Sequence, residues 1–256
     1  MSLTSLIIRI AAPEPKIDAF ESYLFVGPHP DDIEVGAGAT AARLVSLGKK
    51  VTFLICTDGR FGLEHAPEGT TPEMLAKIRR EESRAAAAHL GVTDVRFLDL
   101  SDGGLYELAD LKRGIAQVIG EVQPDIVFAP DPDVKSECHE DHLNVGRAVK
   151  NLAFFAPFGE IMETYGAKAA PVKAVGFFMT ARPNRFIGTK KTEKRREEAL
   201  LLHQSQFPED SDAFRQLKLY LMTRGRAFGF RTFKGRAEGF RIHGVTSMHC
   251  LPEAEL

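Results

Sequence analysis

The stretch SYLFVGPHPDDIEVGAGATAARLVSLGKKVTFLICTDG, residues 22–59, decides the fold class. Ser22 to Val26 is short, apolar and β-prone, and it ends at Gly27-Pro28. That pattern predicts a buried strand. Glu34 to Leu47 is rich in alanine, has apolar residues at helical spacing and is stopped by Gly48, which predicts a helix. Val51 to Cys56 predicts a second buried strand, halted by Thr57-Asp58-Gly59. Strand, helix and strand with short connections predict two parallel strands joined by a crossover helix.

The rhythm continues outward from this unit. Helices are predicted over Pro72 to Leu90, with Gly91 at the C-terminal end, over Asp110 to Val122, and over Asp141 to Phe155. Strands are predicted at Val95 to Leu98 and Asp125 to Ala129. The pattern changes after about residue 156. There a strand at Ala174 to Met179, helices over Thr192 to Gln206 and Asp212 to Phe228, and a short strand at Glu238 to Ile242 are expected. Ser5 to Ile10 alternates weakly and is read as an edge strand. The expected fold is α/β: a Rossmann-like, mostly parallel sheet with helices on both faces. No repeat or low-complexity linker divides the chain, so residues 1–256 are expected to be a single domain, with a core at about 20–180 and a C-terminal extension at about 181–256 that shapes the substrate pocket.

Composition narrows the function classes. With 33 Lys and Arg against 35 Asp and Glu, the net charge is −2, so no basic field attracts nucleic acid. No window approaches the apolar length of a membrane span, and the N-terminal residues do not read as a signal peptide. Three cysteines far apart in sequence, Cys56, Cys138 and Cys250, favour a reduced, cytoplasmic location without a disulfide framework.

Two polar clusters follow strands, where open α/β sheets bind ligands. In Pro28-His29-Pro30-Asp31-Asp32 an imidazole and two carboxylates leave the sheet together on a turn stiffened by prolines. His29 and Asp32 suit a metal, with Asp31 beside it. A plainer reading of Asp32 is a helix N-cap. In Cys138-His139-Glu140-Asp141-His142, two imidazoles lie one turn apart where a helix begins. His29, Asp32 and His142 supply the three protein ligands of a catalytic zinc with one open position, which leaves His139 free for a supporting role. Cys138 is an alternative thiolate ligand or simply a small loop residue, and Glu140 is expected to face solvent or to support the helix start.

With both clusters in hand, the chain resembles the LmbE/PIG-L family of zinc-dependent N-deacetylases. The family's (A/P)HPDD(E) motif matches residues 28–32, and its HPDH motif matches His139-Glu140-Asp141-His142, with Glu140 where the family usually has proline. Weaker matches are Thr57-Asp58-Gly59, Arg79-Arg80-Glu81-Glu82, Asp102-Gly103, His203-Gln204-Ser205-Gln206 and Ala237-Glu238-Gly239-Phe240. The resemblance implies one Zn2+ per chain on His29, Asp32 and His142, with another divalent transition metal as an alternative. It implies Asp31 as general base, His139 as stabiliser of the oxyanion, and Arg79 and Asp102 as substrate contacts. The expected partner is a small N-acetylated sugar conjugate, and a homo-oligomer is compatible with the family.

Plainer readings stand beside these. Arg79 and Glu82 would also make a surface ion pair, Asp102-Gly103 a turn, His203 and Gln206 a packed helix end, Glu238 a strand-edge charge, and Lys190 to Arg196 a solvated helix face. Two other function classes compete. One is a Mg2+-dependent phosphoryl-transfer enzyme, which the two imidazoles disfavour. The other is a non-catalytic metal- or ligand-binding module, which leaves Asp31 without a task.

Overall fold

A computed structural model describes residues 7, 10–249 and 251. The chain builds a seven-stranded sheet in the order β3-β2-β1-β4-β5-β7-β6. The strands are β1 (Ser22–Gly27), β2 (Lys50–Thr57), β3 (Asp94–Leu100), β4 (Ile126–Pro130), β5 (Ala174–Phe178), β6 (Arg185–Gly188) and β7 (Ala237–Gly244). The first five run parallel to one another, and β7 pairs antiparallel with both β5 and the edge strand β6. The helices are α1 (Asp32–Ser46), α2 (Pro72–Leu90), α3 (Leu108–Val122), α4 (Glu140–Phe155), α5 (Gly159–Glu163), α6 (Glu193–Leu200) and α7 (Asp212–Thr232).

Strand alternation divides the core in two. Tyr23 and Phe25 of β1 join Phe53, Phe128 and Phe178 against Ala37, Ala41, Leu44, Ala86 and Leu90 of α1 and α2. The alternate residues Leu24 and Val26 face the other way and join Leu54, Val127 and Phe177 against Leu111, Ile115, Val145 and Val149 of α3 and α4. Helices therefore cover both faces, as the patterning requires. The Phe25 and Phe128 rings stack across adjacent strands at 4.6 Å.

β7 pairs with β5 and carries β6 on its other side, so the C-terminal third continues the sheet. It differs from expectation in two ways. The helix expected over Thr192 to Gln206 stops at Leu200, because Ser205 is drawn onto Glu82 through its backbone N–H (2.8 Å) and hydroxyl (2.6 Å). Glu238 is not a strand-edge charge but is 7% exposed, and Arg196, at the end of the supposed solvated face, is 6% exposed. Glu238 Oε1 accepts from Arg196 Nη1 at 3.1 Å, and its two oxygens also accept from the Ala39 and Thr40 amides of α1. This clamp joins β7, α6 and α1. Glu238→Ala leaves the buried Arg196 guanidinium with only Glu193, 4.0 Å away, so it is expected to cost about 3–5 kcal/mol in urea unfolding, with Glu238→Gln costing less. A change within ~0.5 kcal/mol for Glu238→Ala would contradict the clamp. The edge strand read at Ser5 to Ile10 lies largely outside the described residues, and Ile7 and Ile10 are helical.

Candidate metal centre and active site

Strand order reverses about the β1–β4 pair: β2 and β3 lie to one side, β5 to the other. Such a switch point opens a crevice at the carboxyl ends of the strands. The turn after β1 enters it between two prolines, and the Pro28 carbonyl accepts from both the backbone N–H and the hydroxyl of Thr57 at 2.8 Å. The loop after β4 brings His139 and His142 to the same place at the start of α4. The three imidazoles cluster, with ring centres 4.6 Å (His29–His139), 5.4 Å (His29–His142) and 5.2 Å (His139–His142) apart.

His29, Asp32 and His142 present donor atoms that lie within 4.8 Å of one another. Asp32 Oδ2 is 3.1 Å from His29 Nδ1 and 3.4 Å from His142 Nε2. Asp32 does not cap α1, since the N-cap position is Asp31 and no side chain caps it. Asp32 Oδ2 instead accepts from the His29 backbone N–H at 2.9 Å, which turns the carboxylate toward the imidazoles. A second group, His29, His139 and Asp141, has similar spacing, but Asp141 is already committed. Its oxygens accept from the Gly103 and Gly104 amides at 2.7 and 2.9 Å, and Oδ2 lies 3.0 Å from His29 Nε2. Two successive glycines with φ of +75° and +74° aim both N–H groups at this carboxylate. Asp141 therefore holds the back of the His29 ring while Nδ1 faces Asp32, the arrangement of a metal-bound histidine with its carboxylate support. Glu137 stands behind His142 in the same sense, with Oε2 3.4 Å from Nδ1. Neither Asp141 nor Glu137 is singled out by the motif reading. The available signal was the acid inside the second motif, next to His142. Asp141→Asn should weaken metal affinity about 10- to 100-fold in chelator competition, and unchanged affinity would contradict this support.

The electrostatics favour a cation here. Burial lowers the pKa of His29, but Asp141 and Asp32 overcome it and raise it to about 10. Burial raises that of Asp32, and the His142 and His29 imidazoles outweigh it to hold Asp32 well below the usual carboxylate range. Burial likewise pushes the Asp141 carboxyl up, but the His29 imidazole and the Gly103 amide outweigh it and lower it to about 2. The imidazole of His142 is raised against burial by Asp32, while His139 is lowered by burial and by its two imidazole neighbours. Carboxylates packed this closely around imidazoles form a donor set of two nitrogens and one oxygen that suits a divalent transition metal.

Asp31 sits beside the centre without joining it. Its backbone is left-handed at φ 111°, a conformation costly for a side-chain-bearing residue and common at functional sites. Arg79 holds it there: Nη2 donates to the Pro30 carbonyl (2.7 Å) and to Asp31 Oδ2 (3.1 Å), and Nη1 donates to the Gly59 carbonyl (2.9 Å). Burial pushes the Asp31 carboxyl up to about 6 against the pull of Arg79. Arg79 is 5% exposed, and Glu82 belongs to Ser205, so the surface ion pair between them does not form. Asp102, raised by burial, accepts from the Phe61 amide through Oδ2 (3.3 Å), while its Oδ1 is buried without a partner.

These residues line one cavity of about 350 Å³, bounded by His29, Asp31, Phe61, Gly62, Arg79, Asp102, Gly103, His139 and Gln206. Asp31, His139, Arg79 and Asp102 are thus brought together with the metal group. Cys138 is exposed and belongs to neither metal group, and Glu140 is exposed. Asp131 and Asp133 pair with Arg241 at 2.6 Å, outside the cavity. His203 is fully buried three residues past the end of α6, 3.8 Å from Glu34. Among the described residues no helix is long and apolar enough to cross a membrane.

Comparison with known proteins agrees with this geometry. The chain is 31% identical over 257 residues to the diacetylchitobiose deacetylase of Thermococcus kodakarensis, covering 99% of this chain and 94% of that one. It is 37% identical over 123 residues to a 1D-myo-inositol 2-acetamido-2-deoxy-alpha-D-glucopyranoside deacetylase of Kineococcus radiotolerans, covering 46% of this chain and 34% of the relative. Among solved structures, the N,N'-diacetylchitobiose deacetylase of Pyrococcus horikoshii superposes with a TM-score of 0.87 at 25% identity, over 98% of this chain and 97% of the other. The profile of the family described as PIG-L: GlcNAc-PI de-N-acetylase matches residues 24–153, which include both motifs. With a family match across half its length and a relative aligned from end to end, this chain belongs to the PIG-L family.

Proposed function

We propose that this chain is a zinc-dependent hydrolase that removes an N-acetyl group from an amino-sugar conjugate. One observation carries the reading. Two imidazoles and a carboxylate, His29, His142 and Asp32, meet at a point beside a second, half-buried carboxylate, Asp31, that takes no part in the metal group. A non-catalytic module has no use for that second acid. The imidazoles disfavour Mg2+, which prefers an oxygen shell. The named relatives act on N-acetylated glucosamine conjugates.

Zinc held by His29, Asp32 and His142 would supply Lewis acidity toward the acyl oxygen and toward water. The chain's own groups do the rest. Asp31 takes a proton from water as the water oxygen bonds to the acyl carbon. A ring N–H of His139 donates to the acyl oxygen as it gains negative charge, a contact usually worth about 2.7–4 kcal/mol. The C–N bond then breaks, and the proton held on Asp31 passes to the leaving nitrogen. The products are a free amine and a carboxylate. Arg79 keeps Asp31 in its strained position, and the free Asp102 Oδ1 accepts from a substrate hydroxyl.

The test is primary-amine release from a panel of N-acetylated saccharides, with and without chelator. Release that stops on chelation and returns with Zn2+ supports the reading. Chelator-insensitive release, or none from any saccharide in the panel, would overturn it.

A further inference from the structure

The cavity has a polar floor and one aromatic wall. Of its nine lining residues, Phe61 alone brings a large apolar side chain. It follows β2 in the loop that carries Gly59 and Gly62. Its backbone N–H is tied to Asp102 Oδ2 at 3.3 Å. Its ring stands against Gly103, where a Cβ would lie 3.9 Å from Phe61 Cδ2. The side chain is 51% exposed, and among the described residues no other ring packs on it. Leaving half a phenyl ring in water forgoes burial energy, and this ring lies where a substrate would cover it.

Beside it is a polar group with a settled direction. Gln206 Nε2 donates to the Gly62 and Ser205 carbonyls, each at 2.8 Å. Flipping the amide would set its oxygen against two carbonyls, so the assignment is decided by the network. Among the described residues no donor reaches Oε1, in a residue that lines the same cavity. A pyranose ring has a matching character, with C–H groups on its faces and hydroxyls around its edge. Aromatic rings accept such faces, and a few placed acceptors fix the orientation.

We infer that Phe61 is the platform on which the substrate's pyranose ring stacks, with Gln206 Oε1 accepting from one ring hydroxyl. The wall at Phe61 and Gln206 thereby selects saccharides from other N-acetyl amides. This inference rests on the deacetylase reading above. It assigns Phe61 to binding and leaves the acyl chemistry to the groups already described.

Steady-state kinetics of the wild type, F61A and F61W on N,N'-diacetylchitobiose and on acyclic 2-acetamidoethanol test it. F61A should raise KM for the disaccharide about tenfold with kcat nearly unchanged. It should leave the acyclic amide unaffected, and F61W should restore the disaccharide KM. The chain has no tryptophan, so F61W also provides a sole indole whose fluorescence should change as chitobiose is titrated in, whatever the turnover. Equal effects of F61A on both amides, or a change in oligomeric mass without any change in disaccharide KM, would overturn the inference while the deacetylase reading stands. A wild type inactive on both amides, and an F61W fluorescence blind to chitobiose, would sink both.

Discussion

Asp31→Asn should keep its metal and lose about 10²- to 10⁴-fold in kcat. The variant separates the two acids of the first motif. Asp32 Oδ2 faces both imidazoles, whereas the Asp31 carboxyl is turned to Arg79 and the cavity. Asparagine fills the same volume, tolerates the left-handed backbone at this position, and can still accept from Arg79. It cannot take a proton from water at neutral pH. The measurement is kcat alongside metal content by elemental analysis. A well-folded, metal-loaded Asp31→Asn with near-wild-type turnover would remove Asp31 from the role of base.

His142→Ala should reduce both metal affinity and activity by more than any change behind the ligands. Supporting carboxylates typically contribute about 10- to 100-fold in affinity, so loss of a direct donor should exceed ~10²-fold. His142 lies in the first turn of α4, where alanine suits the helix, so the fold should survive. Its removal leaves Asp32 with one imidazole and Glu137 with none. Competition with a chelator of known affinity reads the effect. Full occupancy at the wild-type affinity would show that the metal is held elsewhere.

The two motifs and the succession of strands and helices were legible because they are local. The first strand, its turn and the following helix occupy consecutive residues, and the alternation of Tyr23 and Phe25 with Leu24 and Val26 writes both faces of the sheet into one strand. What the sequence hides depends on distance. Asp141 supports His29 across 112 residues, and its oxygens are fixed by glycines on a third loop. Arg79 shows no sign in its own helix of reaching Pro30 and Gly59. Glu238 reads as a charge in a short terminal strand, and only the packing of α6 on α1 brings it Arg196. The short β6 escaped notice because four residues with a charge at one end carry little periodic signal. The local clusters were thus readable in advance, while the groups that position them belong to the tertiary fold.

Anomalous diffraction at the zinc edge, on crystals of the zinc-loaded protein, tests the central claim most directly. A single peak per chain is expected, within bonding distance of His29 Nδ1, Asp32 Oδ2 and His142 Nε2, with Asp31 left outside the coordination sphere. A peak between His139 and Asp141, or none near these imidazoles at full loading, would contradict the account.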